Sequence, residues 1–266
     1  MIFDEDQDPS AIPNFDDDFN TEEDFNGNSF TVLKDEVIFL VQLTHDGMIC
    51  DNSGLAAVQE ALKGFSSFMK SKIISNYQDK VSLVLFGSET TNNPLNFKGI
   101  DVKMNLELAS ASRIRQIDEL SKNFGSLDVS FDRPSVAEAL WICNHMFSET
   151  GQSPDTTQRI FVFTTDDNPN LGDTEALKQA FLHASKLNKL GIEIELFPLR
   201  VNNMPFDYSK FYGDIVTVDD EEIRNEATRD RLDTLGERLR RKEFKKRTLG
   251  RVDFRIAEGI IVGTKL

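Results

Sequence analysis

Two clusters of oxygen-bearing side chains are the residues of this 266-residue sequence whose types and spacing best suit chemistry. Thr44 and Asp46 follow the apolar run 37–43, and Asp166 and Asp167 follow the run 160–163. Near-continuous runs rich in Val, Ile and Phe are typical of strands buried on both faces of a parallel sheet. Because sites in doubly wound sheets form beyond the carboxyl ends of such strands, we expect both clusters at one edge of a sheet.

The spacing of these polar residues resembles the metal-ion adhesion site of von Willebrand A domains. That site has Asp-x-Ser-x-Ser after the first strand and an Asp after a later central strand, and its Mg²⁺ prefers oxygen ligands that include carboxylates. The resemblance aligns Gln42, Thr44 and Asp46 with the triplet, and Asp166 with the later acid. Gln42 replaces a charged ligand by a neutral amide. We therefore favour a degenerate site, a polar cluster that caps strands and helix starts, over a weak Mg²⁺ site, and expect no metal and no cofactor.

Other catalytic patterns are missing from the sequence. It has no Gly-x-x-x-x-Gly-Lys-Ser/Thr phosphate loop and no Gly-x-Ser-x-Gly nucleophile elbow. The two cysteines, Cys50 and Cys143, lack metal-ligand spacing, which disfavours a zinc site and favours reduced thiols in an intracellular protein. His45 adjoins the first polar cluster but has no candidate nucleophile beside it.

Alternating strands and helices must position these clusters. The predicted strands are 37–43, 81–86, 101–106 at an edge, 159–164, 192–199 and a short one near 214–218 that closes the sheet. The predicted helices are 54–75, 109–124, 135–148 with Trp141 in the core, and one that Asp173 caps and Gly191 ends. This alternation predicts an α/β fold with a doubly wound, mainly parallel sheet.

The two ends of the sequence differ in charge. Residues 1–29 contain ten acidic residues and no Lys or Arg, and they lack periodicity, so we expect a disordered acidic tail. Acids at its start and bases at its end predict a last long helix over 219–246. Two short strands, 252–256 and 260–266, should follow. Because two strands alone are marginally stable, we expect a second, β-rich domain to begin there.

A strongly basic segment spans residues 238–251. It contains eight Lys and Arg residues against Glu243 alone, although the whole chain has a formal net charge of −15. Such a segment could neutralise the phosphates of a nucleic acid without reading its bases. A solvated helix end, complementary to the helix dipole and to the acidic tail, explains the same charges, and charge alone does not choose between them.

A series of short segments carries a more specific resemblance. They are 37–41, 71–75, 139–143, 146–148, 163–169, 206–207, 211–215 and 245–251. In order and spacing they resemble the N-terminal half of the larger, seventy-kilodalton subunit of the Ku heterodimer. The Asp-Asn-Pro sequence after a central strand and the Phe-Tyr-x-Asp-Ile segment are more specific to that subunit than to A domains in general.

The Ku resemblance implies a domain organisation. After the tail of 1–29, it implies a von Willebrand A-like, Rossmann-type domain over 30–218 and a linking helix with the basic segment over 219–250. Residues 251–266 would then be the start of a β-barrel, truncated at the end of this sequence.

The resemblance also implies a function. It implies a DNA-end-binding subunit that acts in double-strand break repair by non-homologous end joining and in telomere maintenance. The expected partners are the smaller Ku subunit, double-stranded DNA ends, and end-joining and telomere factors. The implied location is the nucleus, at chromosome ends and break sites. This region would be mainly a protein-interaction platform with sequence-independent contacts to the DNA backbone.

Two sets of residues are expected to carry these contacts. The residues expected to bind DNA are Arg241, Lys242, Lys245, Lys246, Arg247 and Arg251. The helix that begins after Asp173 is expected to present a partner surface made of Glu175, Lys178, Lys186 and Lys189. A solvated helix face is the alternative explanation of those four charges.

Enzymatic and adhesive functions remain as alternatives. The family has been described as an ATP-dependent helicase subunit, which no phosphate loop supports here, and as able to cleave abasic sites. Lys34 is the nearest candidate for the Schiff-base lysine that the cleavage needs, and no other catalytic residue is expected. A metal-dependent A-domain adhesion or scaffold protein is the second function. The incomplete triplet and the lack of a secretory signal argue against it.

Overall fold

The described part of the chain forms a five-stranded sheet with helices on both faces. The computed structural model describes residues 34–50, 54–75, 78–132, 134–151, 153, 155–170, 172–199, 206–217 and 235–242, and the backbone of 21–23, 29–31, 251–257 and 260–265. The sheet strands are β3 (Lys34–Gln42), β4 (Lys80–Phe86), β5 (Ile100–Leu108), β6 (Thr156–Thr164) and β7 (Glu193–Pro198). The α-helices are α1 (Ala57–Ser75), α2 (Ala111–Lys122), α3 (Val136–Thr150), α4 (Thr174–Lys189) and α5 (Leu235–Lys242).

The sheet has the strand order β5-β4-β3-β6-β7. Strand β3 lies at its centre and pairs in parallel with β4 and β6, β7 pairs in parallel with β6, and the edge strand β5 is antiparallel to β4. The strand order reverses at β3, so the crevice of this doubly wound sheet opens beyond the carboxyl ends of β3 and β6. The predicted doubly wound, mainly parallel sheet is confirmed.

Each face of the sheet has its own core. Alternate residues of β3 point to opposite faces: Val37, Phe39 and Val41 pack with α1, α2 and α5, whereas Ile38 and Leu40 pack with α3 and α4. The first core is rich in aromatic rings. The ring of Phe39 lies 4.8 to 5.4 Å, between centroids, from those of Phe65, Phe68, Phe161 and Phe163.

The predicted elements are present with ends shifted by a few residues, and the helix signals at α4 are those expected. The Asp173 carboxylate accepts hydrogen bonds from the backbone N–H groups of Glu175 and Ala176, at 3.1 and 2.9 Å. Gly191 follows the helix with a φ of +76°, a conformation that glycine adopts without strain. Of the predicted last helix over 219–246, the described residues include only α5.

Two predictions about single features are wrong. In place of a strand near 214–218, the described residues form a 3₁₀ turn at Tyr212–Asp214, because Tyr212 and Ile215 are buried three residues apart instead of alternating. Thr217 still donates one backbone hydrogen bond to Ile194 of β7, at 3.0 Å. Trp141 is 46% exposed and not in the core; its ring lies over those of Phe97 and His183.

Two short antiparallel hairpins flank the sheet in sequence. Strands β1 (Thr21–Glu23) and β2 (Ser29–Thr31) pair, so the boundary predicted at residue 29 falls inside the first hairpin. Residues 1–20 and 24–28 of the predicted tail lie outside the described residues. Strands β8 (Arg251–Ala257) and β9 (Ile260–Lys265) pair near the C-terminus. That they begin a β-barrel stays a prediction.

Helix α5 packs closely against α1. Leu235 and Leu239 are buried in the first core, and Leu239 crosses α1 at Gly64. A Cβ atom added at Gly64 would lie 2.6 Å from Cδ1 of Leu239, which is nearer than van der Waals contact allows. Glycine at this position therefore lets α5 approach the sheet. None of the helices among the described residues is long and apolar enough to cross a membrane.

In Gly64→Ala the added methyl group must displace the end of the Leu239 side chain in a packed core, which costs about 1–3 kcal/mol and is partly offset by a helix-propensity gain of up to about 1 kcal/mol, so we expect the free energy of unfolding to fall by up to about 2 kcal/mol. Gly236→Ala in α5 is the matched control, since no atom lies within 4 Å of a Cβ there. That control should raise the stability by up to about 1 kcal/mol through helix propensity. Urea denaturation of both variants measures the difference, and an equal gain in both would contradict the close packing of α5 on α1.

Candidate functional site

The polar residues that follow β3 and β6 meet at the carboxyl edge of the sheet. The Thr164 hydroxyl donates a hydrogen bond to Oε1 of Gln42, and both side chains are almost fully buried. Thr44 and Thr165 share a hydrogen bond between their hydroxyl oxygens at 2.7 Å. Asp166 follows at once, and its Oδ1 accepts from the backbone N–H of Asn168 at 2.9 Å. The two strand ends are thus joined by side-chain hydrogen bonds.

Two of the four side chains that align with the metal site, Gln42 and Thr44, already use their oxygens in hydrogen bonds within the protein. Oε1 of Gln42 accepts from Thr164, and the Thr44 hydroxyl accepts from the N–H of Gly47 at 3.0 Å as well as contacting Thr165. Asp46 is exposed, in a short 3₁₀ helix. Among the residues that the structure describes, no three His, Cys, Asp or Glu side chains are grouped so as to hold a metal ion. The residues therefore fit a polar cap better than a cation site.

Neighbouring groups also reduce the negative charge at this edge. Lys210 lies 2.7 Å from the Asp167 carboxylate, which also accepts from the backbone N–H of Asp207 at 3.2 Å. Burial raises the pKa of the Tyr212 hydroxyl, which is next to Thr164, so the phenol stays protonated at neutral pH. The described carboxylates at this edge are those of Asp46, which is exposed, Asp167, which pairs with Lys210, and Asp166, which is partly buried and has no ion pair within 4 Å.

A second polar site, which the sequence did not reveal, lies at the amino-terminal edge of the same sheet. Arg159 of β6 is 1% exposed, and its Nε donates to Oδ1 of Asp35 at 3.1 Å while Nη2 bonds Oδ2. Its Nη1 donates to the backbone carbonyl of Lys242, at the end of α5, at 2.7 Å. The same Nη1 lies 3.5 Å from the carboxylate of Glu195. One guanidinium thus joins β3, β6, β7 and α5.

Two lysines complete this second site. Nζ of Lys72 in α1 lies 2.9 Å from Asp35 and 2.7 Å from Asp79, and Nζ of Lys242 lies 3.3 Å from Glu195. The six side chains form what we call the ionic junction: Asp35, Lys72, Asp79, Arg159, Glu195 and Lys242. Three cations face three carboxylates, so the ionic junction is neutral overall when all six are charged.

Burial sets the acid–base behaviour of the ionic junction. Desolvation raises the pKa of Asp79 and that of Glu195, and hydrogen bonds and charges from the lysines partly offset this. Burial alone would lower the pKa of Arg159, but the carboxylates of Asp35 and Glu195 outweigh it, and that pKa is raised. The guanidinium therefore remains a cation inside the protein.

The basic residues of α5, at the start of the basic segment, form an inner set that contacts the sheet and an outer set that is exposed. Arg238 is buried, donates to the carbonyl of Pro198 at 3.1 Å, and lies over the Phe197 ring at 5.5 Å from its centroid. Lys242 belongs to the ionic junction. Arg240 and Arg241 are exposed. Of the other predicted DNA-binding residues, Arg251 begins β8, and Lys245, Lys246 and Arg247 lie outside the described residues.

The other predicted site residues lie apart from both sites. The four predicted partner-surface residues, Glu175, Lys178, Lys186 and Lys189, are all exposed on α4. Lys34 is exposed at the first position of β3, where its backbone N–H donates to the Asp155 carbonyl at 2.8 Å. A signal for the ionic junction does exist in the sequence, because Arg159 directly precedes one buried apolar run and Asp35 lies two residues before another. Charged residues at strand starts are usually solvated, and only the fold brings Glu195 and Lys242 to them.

Comparison with known proteins shows one family. The model described as the Ku70/Ku80 N-terminal alpha/beta domain matches residues 36–249. X-ray repair cross-complementing protein 6 of Mus musculus is 31% identical over 240 residues, which cover 86% of this chain and 39% of that protein. ATP-dependent DNA helicase 2 subunit 1 of Rhipicephalus appendiculatus is 30% identical over 246 residues, 90% of this chain and 40% of that protein. The chain thus spans about two-fifths of the length of these relatives.

Two solved structures with low sequence identity to the chain illustrate its similarity to known structures. The crystal structure of the SpRpn10 VWA domain has a TM-score of 0.45 and 13% identity, and it covers 69% of this chain and 85% of that one. The pilus adhesin SpaC from Lactobacillus rhamnosus GG has a TM-score of 0.49 and 15% identity, covering 76% of this chain and 31% of that one.

We expect Mg²⁺ titration, followed by calorimetry, to show no saturable binding in the micromolar range, because the Gln42 and Thr44 oxygens are used within the protein. Mn²⁺ should give the same result, and neither ion should raise the melting temperature. A micromolar isotherm that disappears in Asp166→Ala would contradict the polar-cap interpretation. Asp173→Ala, which removes a helix cap away from the cluster, controls for general loss of stability.

Proposed function

The chain belongs to the Ku70/Ku80 N-terminal alpha/beta domain family, and on that premise we propose that it is part of a DNA-end-binding Ku subunit of the seventy-kilodalton type. The proposed process is double-strand break repair by non-homologous end joining, together with telomere maintenance, in the nucleus. The mouse relative's name refers to X-ray repair, and the tick relative's name refers to one subunit of a DNA helicase. The first name supports a role in repair, and the second supports a role on DNA as one subunit of an assembly.

The proposed partners follow from the same premise. They are the smaller Ku subunit, double-stranded DNA ends, and end-joining and telomere factors that meet the chain at break sites and chromosome ends. Within the chain, we propose that residues 30–218 form the protein-interaction platform and that 219–250 lead into a DNA-encircling β-barrel begun by 251–266. The acidic residues that precede the first hairpin would form a solvating tail.

The observation that carries the proposal is the position of α5. Its inner residues attach it to the sheet, and its outer residues Arg240 and Arg241 are exposed cations at the start of the basic segment. Phosphates are bound by such cations without base recognition, which is the requirement for a protein that binds any DNA end. Because α5 is held by the sheet, Arg240 and Arg241 have a fixed place on the domain.

The alternatives have less support. A metal-dependent adhesion or scaffold function needs a cation at the carboxyl edge, where the Gln42 and Thr44 oxygens are already bound within the protein. A helicase function would need a nucleotide site, and the sequence has no phosphate loop. Abasic-site cleavage would need Lys34 to act as a nucleophile. Borohydride trapping of the chain on abasic DNA, lost in Lys34→Ala, is the result that would favour it.

The partner surface on α4 is a separate proposal. Glu175, Lys178, Lys186 and Lys189 face solvent, and the buried side of the helix packs on α3 and β7 through Ala180, Ala184 and Leu187. These four charges take no part in the core, so they are available to a protein partner.

We expect the triple variant Lys245→Ala, Lys246→Ala, Arg247→Ala to reduce the salt dependence of duplex DNA binding. The slope of log K against log salt concentration should flatten by about two to three units, at roughly 0.9 for each phosphate that is no longer neutralised. Fluorescence anisotropy with a linear duplex across a salt series measures the slope. The matched control removes three exposed cations elsewhere, Lys178, Lys186 and Lys189, and should keep the wild-type slope. Equal flattening in both triple variants would mean that net charge alone causes the effect.

We expect charge reversal at Glu175, Lys178, Lys186 and Lys189 to weaken co-purification of end-joining proteins from nuclease-treated nuclear extract, if α4 is a partner surface. The matched control reverses one acid and three cations that are exposed on other helices: Glu119, Arg115, Lys122 and Lys63. Quantitative mass spectrometry compares the captured proteins. Capture that is unchanged by the α4 reversal would leave that helix as a solvated face.

A further inference from the structure

We propose that Arg159 is a positioning residue for DNA binding: it attaches Lys242 of α5 to the sheet and so holds the exposed Arg240 and Arg241 in place. This inference rests on the proposed function. It also reassigns Lys242, which the sequence predicted as a DNA contact, to the same positioning role. Arg240 and Arg241 are then the residues of α5 that meet phosphate.

The geometry of Arg159 supports a fixed position for the helix end. The two edges of its guanidinium are used at once, since Nε and Nη2 bind Asp35 of β3 while Nη1 donates to the Lys242 carbonyl at 2.7 Å. The guanidinium is planar and rigid, so these bonds set both a distance and a direction. Arg159 is 1% exposed, so water does not compete for them.

Two more attachments hold the same helix. Arg238 reaches over the Phe197 ring to the carbonyl of Pro198, and Lys242 pairs with Glu195 at 3.3 Å. Leu239 packs into the space left by Gly64. These contacts involve three of the eight described residues of α5, Leu235–Lys242. The position of α5 therefore depends on these contacts with the sheet and α1.

Loss of a positioning residue and loss of a phosphate contact change the salt dependence of DNA binding differently. A cation that binds phosphate releases counterions, so its removal flattens the salt dependence of binding. A residue that only holds the helix in place releases none. Its removal means that α5 must become ordered when DNA binds, and this lowers the affinity at every salt concentration while the slope stays unchanged.

The test uses the 266-residue chain and a linear duplex of about 30 base pairs, long enough for several phosphate contacts. Arg159→Lys keeps the positive charge but replaces the guanidinium, which donates to both Asp35 and the Lys242 carbonyl, by a single ammonium group. Lys242→Met removes the ion pair between Lys242 and Glu195. Both should weaken binding at least about fivefold at each salt concentration, because ordering of the helix then opposes binding, and both should keep the wild-type slope. Arg240→Ala with Arg241→Ala should instead flatten the slope by about two units.

Lys72→Met is the matched control within the ionic junction. Lys72 is as buried as Arg159 and also binds Asp35, but the two carboxylates that it pairs with, Asp35 and Asp79, belong to the starts of β3 and β4. Its loss should lower the melting temperature and leave DNA affinity within about twofold of wild type, since α5 keeps its attachments. A fall in affinity in Lys72→Met equal to that in Arg159→Lys would show a general effect of destabilisation and overturn the proposal. A flattened slope in Lys242→Met would make that lysine a phosphate contact and overturn its reassignment.

Hydrogen exchange separates this proposal from the proposed function. The backbone amides of 239–242 should exchange at least about tenfold faster in Arg159→Lys than in wild type, but not in Lys72→Met, whether or not DNA is present. If the wild-type chain bound no DNA, the proposed function of this segment would fail, and the exchange rates would still decide whether Arg159 holds α5. Equal exchange in the two variants would overturn the positioning role.

Discussion

The buried guanidinium of Arg159 is the interaction on which the arrangement of this domain depends. It joins the central strand, its two neighbours on one side and the last described helix, through Asp35, Glu195 and the Lys242 carbonyl. Buried ion pairs seldom stabilise a fold more than well-packed apolar residues would. Their advantage here is geometric. An apolar contact alone would let α5 shift along α1, whereas the rigid set of guanidinium donors fixes the position of Lys242 relative to the sheet.

The two edges of the sheet consequently have different roles. At the carboxyl edge, hydroxyl and amide groups of Gln42, Thr44 and Thr164 bond to one another or to neighbouring residues, at the place where a doubly wound sheet usually binds its ligand. At the amino-terminal edge, the ionic junction attaches a helix that carries exposed arginines. On the function proposed above, the contacts with other molecules have moved from the crevice of the sheet to its helices, and the sheet itself serves as a rigid support.

The sequence predicted the fold well where the signal was local. The apolar runs, the Asp173 cap and the glycine after α4 each act within one or two turns, and all appear in the structure. Prediction from the sequence failed where tertiary packing decides which side chains are buried and which conformation the backbone takes. Trp141 lies on an apolar helix but falls outside its buried stripe, and the 212–215 segment follows a spacing of three instead of two. The ionic junction could not be predicted, because its partners come from positions 35, 72, 79, 159, 195 and 242.

The most direct test of DNA binding by α5 is photo-crosslinking of the chain to duplex DNA from a benzophenone side chain at position 241 or at position 186. Both positions are exposed and both carry a cation in the natural sequence, so charge loss is matched. We expect efficient crosslinking to DNA from position 241 on α5 and little from position 186 on α4, with the difference falling as salt rises. Equal crosslinking from both positions, or crosslinking from position 186 alone, would contradict a DNA-binding role for α5.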